Sequence, residues 1–169
     1  MWRRIYNWYS LSIIVLIVGF GGLALGKMYH DWGVPESDIV IDGDYSHTLG
    51  INTGHSVIRV DAELAIDDKK QQLGMMFRNR MDEQDGMLFV FPDAQMRYFW
   101  MKNTLLPLDI LFIGPDARVV SIHENAVPHD ETLISSKKPA SAALELKGGM
   151  AKMWGIKEGA IINTPILIR

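Results

Sequence analysis

From Ile5 to Gly26 the chain carries no charged residue over 22 positions, and residues 11–18 (LSIIVLIV) are almost wholly aliphatic. Wound as an α-helix such a run rises about 33 Å, enough to cross the hydrocarbon layer of a bilayer. A helix apolar on every side has to be buried on every side, which the remaining residues of a 169-residue chain could hardly provide. Arg3 and Arg4 precede the run, and after it only Lys27 is basic before Arg59. The positive-inside bias therefore places the N-terminus in the cytoplasm and the rest of the chain across the inner, cytoplasmic membrane as a single-pass protein. Tyr6, Trp8 and Tyr9 at one end and Tyr29 and Trp32 at the other are placed as interfacial aromatics. The alternative is a signal peptide cleaved near Gly26, after the small residues of Ala24-Leu25-Gly26, which would release a periplasmic or secreted domain. Both readings export the same domain.

Three segments follow: signal-anchor or signal peptide over 1–27, an extracytoplasmic linker over 28–55, and a β domain over 56–169. Glu36 to Ser56 holds four acidic residues, no basic one, and much Gly, Ser, Thr and Asn. Such a stretch has little to bury. Ile39-Val40-Ile41 is the one part of it suited to a short edge strand.

Within the domain, Val57 to Leu64 alternates: Ile58, Val60, Ala62 and Leu64 on one side, Arg59, Asp61 and Glu63 on the other. Asp67 or Asp68 caps a short helix over 69–73. Further strands are expected at Gly86–Phe91 (stopped by Pro92), Met96–Lys102, Leu108–Ile113, Arg118–Ile122, Ser141–Leu146 and Ile161–Ile168. A turn falls at Gly114-Pro115-Asp116-Ala117, and a helical turn at Gly148–Trp154. Many short strands with one or two short helices predict a mainly β fold, a compact antiparallel sandwich or barrel of jelly-roll type.

Composition narrows the function. The absence of cysteine excludes disulfides, thiolate nucleophiles and iron–sulfur clusters. A net charge of −3 and a pI near 5.9 argue against nucleic acid as a partner. Nothing in the sequence calls for a cofactor, no serine sits in a nucleophile elbow, and the histidines lack metal-ligand spacing. Ten methionines include eight in the domain. With His123 or His129 they suit copper(I), whereas their place among Leu and Phe suits core packing.

Seven residues stand out as candidates for binding. Asp109 interrupts Leu108–Ile113, on the face of Leu111 and Ile113, and an unpaired carboxylate among such neighbours costs several kcal/mol. It needs donors, with Lys102, Asn103 and Thr104 close in sequence, and it either fastens that connection or serves a ligand. Trp100 and Lys102 share one face of their strand, opposite Phe99 and Met101. An indole beside an ammonium and an amide suits a sugar or a peptide, and the alternative is a lysine snorkelling from a core edge to Asp109. Glu145 lies with Ala143 and Lys147, opposite Ala142, Leu144 and Leu146, and reads either as an exposed or ion-paired glutamate or as half of an acid/base pair with Asp109. Arg78 suits an anionic group, or a pairing to Asp82, Glu83 or Asp85.

Ordered blocks carry a family likeness: Leu73-Gly74-Met75-Met76-Phe77-Arg78, Asp85–Phe91, Phe99-Trp100-Met101-Lys102-Asn103-Thr104, Leu106–Ile113, Ala143–Gly149 and Gly155–Gly159. Over about Arg59–Ile168 the chain resembles the bacterial and archaeal family of the domain of unknown function numbered 192, with Met75 where the family has leucine. That resemblance implies a small, mostly antiparallel β fold behind a signal peptide or anchor, and no established activity. The expectation is thus a non-catalytic module binding an envelope protein or glycan. The rival is an envelope hydrolase acting on polysaccharide with Asp109 and Glu145 as acid and base.

Overall fold

The computed structural model describes residues 46–167. The apolar run, its flanking aromatics and Ile39-Val40-Ile41 lie outside the described residues. Among the described residues no helix is long and apolar enough to cross a membrane.

The strands are β1 (Ser46–Asn52), β2 (Val57–Ala65), β3 (Asp85–Gln95), β4 (Tyr98–Phe99), β5 (Leu108–Ile113), β6 (Val119–Ala126), β7 (Ile134–Ser135), β8 (Ala140–Lys147) and β9 (Ile161–Asn163). The helices are α1 (Asp68–Leu73) and α2 (Met150–Met153). Seven strands form one sheet in the order β6-β5-β8-β3-β2-β1-β9, while β4 and β7 make a separate two-stranded ribbon. The sheet curls into a half-barrel. At one end its edges meet through an Arg118–Ile161 bridge and hydrogen bonds from Val119 N–H to Ala160 C=O and from Ile162 N–H to Ala117 C=O.

The mainly β expectation holds, with four corrections. The sheet is mixed, because β2 and β3 run parallel (Asp61 opposite Asp85, Ala65 opposite Phe89). A parallel pair needs a crossover, and residues 66–84, including α1 with its N-terminus held by Asp67 Oδ1 accepting from Lys70 N–H, supply it. β1 pairs along its whole length with β2, so residues 46–52 belong to the domain and not to the expected linker. The strand expected over 96–102 is reduced to Tyr98–Phe99, because residues 101–104 form a turn, Thr104 N–H to Met101 C=O, with Asn103 at φ 53°. Likewise the last strand stops at Asn163 and continues as a turn.

Two cores follow from period-two alternation. Inside the curl pack Val60, Ala62, Leu88, Leu111, Ile113, Ala142, Leu144 and Leu146. On the outer face Met87, Phe89, Ile110, Phe112 and Ala143 form a second core. It is roofed by Met75, Met81 and Met101, with Phe99, Leu106 and Ile134 packed against it. Phe99 meets Phe89 and Phe112 edge to face, at 5.1 and 5.5 Å between ring centroids. Covering both faces explains why β5 is buried at all six positions. Met75, Met81, Met87 and Met101 lie in this core, where methionine serves as packing.

Candidate functional site

The two carboxylates proposed as an acid/base pair lie on opposite faces of the sheet. Asp109 stands beside Leu146 of β8, whose side chain is in the inner core, whereas Glu145 stands between Met87 and Ile110 of the outer core. The sheet itself separates them, so no shared cleft can hold both, and the hydrolase arrangement fails on geometry.

Asp109, wholly buried, is fully partnered. A register shift between β5 and β6 around Asn125 (φ 50°) turns the Asn125 N–H out of the ladder, and Asp109 Oδ1 accepts it at 2.8 Å. Oδ2 accepts the Ala151 N–H at 2.7 Å, in the first turn of α2. The expected donors Lys102, Asn103 and Thr104 are not the ones used. Asp109 is a clasp that holds β6 and α2 to the inner side of β5, and its chemistry is spent on that.

Glu145 differs in every respect. Its residue is 5% exposed, and Oε2 is buried without a hydrogen-bond partner. Gly74 (φ 49°) lies close by, since a Cβ added there would stand 3.9 Å from that oxygen. Burial pushes the carboxyl up to about 8, against the opposing pull of the nearby Arg78 guanidinium. Register places Glu63, Met87, Glu145 and Ile110 in one row across four strands of the outer face. Arg78, from the covering segment, pairs with Glu63 through both guanidinium nitrogens, NH2 to Oε2 at 2.6 Å and NH1 to Oε1. Those bonds hold Arg78 more firmly protonated than usual, against the effect of its burial. Thus Arg78 pairs neither with Asp82 nor with Glu83, and Glu145 is neither exposed nor paired as the sequence suggested. Glu63 was not singled out from sequence. Its signal was the β2 alternation, and only the parallel register brings it into the row.

The Gly74–Arg78 segment also touches the turn that carries the remaining candidates. Phe77 N–H (Phe77 at φ 64°) donates to Asn103 C=O at 2.9 Å, so two non-glycine residues in the left-handed region meet through one hydrogen bond. Thr104 is buried, its hydroxyl on Lys102 C=O and its carbonyl accepting from His129 N–H. Asn103 and Thr104 shape the turn. Trp100 is 40% exposed, and the Lys102 ammonium stands 5.1 Å from its ring centroid. As expected, Phe99 and Met101 face inward while Trp100 faces out. Of the seven candidates, the structure therefore sets Glu145 within the electrostatic reach of Arg78, joins Arg78's neighbour Phe77 to Asn103, and leaves Trp100 with Lys102 at the surface. Asp109 stands apart.

Residues 50–164 match the family DUF192, described as Uncharacterized ACR, COG1430. A solved protein of unknown function from Novosphingobium aromaticivorans is 38% identical, over 70% of this chain and 85% of that one, with a TM-score of 0.69. Another, described as a putative transcription regulator from Sinorhizobium meliloti, is 37% identical, over 72% of this chain and 97% of that one, with a TM-score of 0.68. None of the curated proteins compared with the chain matches it.

Proposed function

The chain belongs to the DUF192 family, and we propose that it is a non-catalytic binding module of the cell envelope, held by its N-terminal apolar run with the β domain on the extracytoplasmic side. The observation that carries this reading is the contrast between its carboxylates and its surface aromatics. Asp109 is consumed by two backbone amides and Glu145 is 5% exposed with Oε2 buried, which argues against either serving a substrate as a general acid or base. What the domain does offer is the outer side of the β4–β7 ribbon, where Trp100 and its Lys102 neighbour are reachable from solvent. An indole bearing an ammonium is a binding element. Phe77 ties that turn to the covering segment, its N–H donating to Asn103 C=O.

The test is photo-crosslinking in the intact envelope. A photoreactive phenylalanine analogue at position 100 should give a light-dependent adduct with an envelope component, and the same analogue at exposed Val57 should not. Equal adducts, or none at position 100, overturn the binding reading. Intact mass of the extracted protein decides separately between a retained anchor and cleavage near Gly26.

A further inference from the structure

The ribbon carries more exposed apolar surface than one indole. In the antiparallel β4–β7 pairing Tyr98 lies opposite Ser135 and Phe99 opposite Ile134. Continuing that register brings Leu133 opposite Trp100 on the outward side. Tyr98 is 58% exposed and Leu133 63%, while Phe99 and Ile134 point the other way, against the outer core. The adjoining turns, tied by His129 N–H to Thr104 C=O, add exposed Leu105 and Val127. Outward tyrosine, tryptophan and leucine, with Lys102 against the indole, form a contiguous apolar patch whose polar tips are a phenol, an indole N–H and an ammonium. That is the chemistry of a side-chain set that sits at a lipid headgroup boundary, apolar bodies inward and polar tips in the wet layer.

The chain itself says which surface lies within reach. Residues 27–45 connect the end of the uncharged run at Gly26 to the start of β1, and 19 residues can span at most about 65 Å however they are arranged. A domain tethered so close to a bilayer meets that bilayer at high effective concentration, so even a modest patch is held there. We propose that the outer side of the β4–β7 ribbon docks on the headgroup layer of the membrane in which the chain is anchored, so that the domain lies down on the bilayer instead of standing away from it. The inference rests on the anchoring reading above and names the partner of the same surface. Because Asp130 and Glu131 lie in the same connection as Leu133, the attachment is apolar and not ionic.

Full-length chain reconstituted in phosphatidylethanolamine–phosphatidylcholine vesicles tests it. The sequence lacks cysteine, so Leu133→Cys and Val57→Cys, both at exposed positions, each accept one environment-sensitive fluorophore. With nitroxide-labelled lipid in the same vesicles, the residue-133 label should lose its emission and the residue-57 label should keep it, and the difference should persist at roughly 0.5 M salt, where ionic attachment is screened. Replacing Tyr98 and Trp100 by Ser in the Leu133→Cys background should restore emission with the circular dichroism spectrum unchanged. Vesicle flotation keeps the two readings apart. A chain that floats with both labels equally unquenched retains its anchor and overturns the docking, as would occupation of the ribbon by a protein or glycan. A chain that does not float overturns both.

Discussion

The molecule buries two carboxylates at adjacent register positions of the neighbouring strands β5 and β8 and treats them in opposite ways. On the inner face, Asp109 has been given two backbone N–H donors by a bulge in β6 and by the first turn of α2. On the outer face, Glu145 has one oxygen with no donor, and the nearby cation Arg78 is committed to Glu63. A buried carboxylate with two amide donors is a structural clasp, whereas one without donors is a standing cost to the fold. The lesson is that burial of a charge in a strand says little by itself, and its function depends on what the neighbouring chain segments offer.

The largest effect expected is a pH dependence that belongs to one carboxylate and not to the other. With the Glu145 carboxyl pushed up to about 8 from an ordinary 4.5, the native protein holds a proton between those values that the unfolded chain has released. Stability therefore falls as pH rises through that window, by up to about 5 kcal/mol over the full span. Glu145→Gln should flatten this dependence, being close to wild type near pH 4 and clearly more stable at pH 9, as read from urea unfolding at the two pH values. A wild-type protein whose stability is the same at both would break the comparison, since Glu145 would then have a partner.

Next in size is Asp109→Ala, which orphans the buried amide of Ala151 and the partly buried amide of Asn125 and should cost about 3–5 kcal/mol. Hydrogen exchange localises it: those two amides should exchange faster than the remaining β5–β8 ladder. If exchange at both is unchanged, the clasp is not what holds them.

How much of this was legible beforehand follows from the same pair. Alternation in β2, β5 and β8 announces which side chains share a face: Asp109 goes with Leu111, whereas Glu145 alternates with Leu144. That Asp109 needs donors also follows from its apolar neighbours. The donors themselves were out of reach, because Asn125 is freed by a bulge and Ala151 comes from 42 residues away. Burial of Glu145 depends on the segment through Gly74 and Arg78 folding over the outer face, which no periodicity encodes. β1 was hidden by its composition: a glycine-bearing SHTLGIN stretch reads as linker until β2 and β9 supply partners on both sides. The parallel β2–β3 pairing was hidden because parallel and antiparallel neighbours leave the same alternation in the sequence.

The smallest expected effect sharpens the comparison most directly. Sequence proximity makes Lys102 the natural counter-ion for Asp109, and removing one partner of a buried ion pair costs about 3–5 kcal/mol. In the structure Lys102 is half-buried over the Trp100 ring on the outer side, while both Asp109 oxygens are taken from the inner side. Lys102→Ala should therefore cost only about 0.5–1 kcal/mol, the range of a cation–π contact at an accessible site. A thermal midpoint within a few degrees of wild type is the result expected for a 122-residue β domain. A loss as large as that of Asp109→Ala would mean that the two residues act as one unit, and the separation of an inner clasp from an outer binding face would have to be given up.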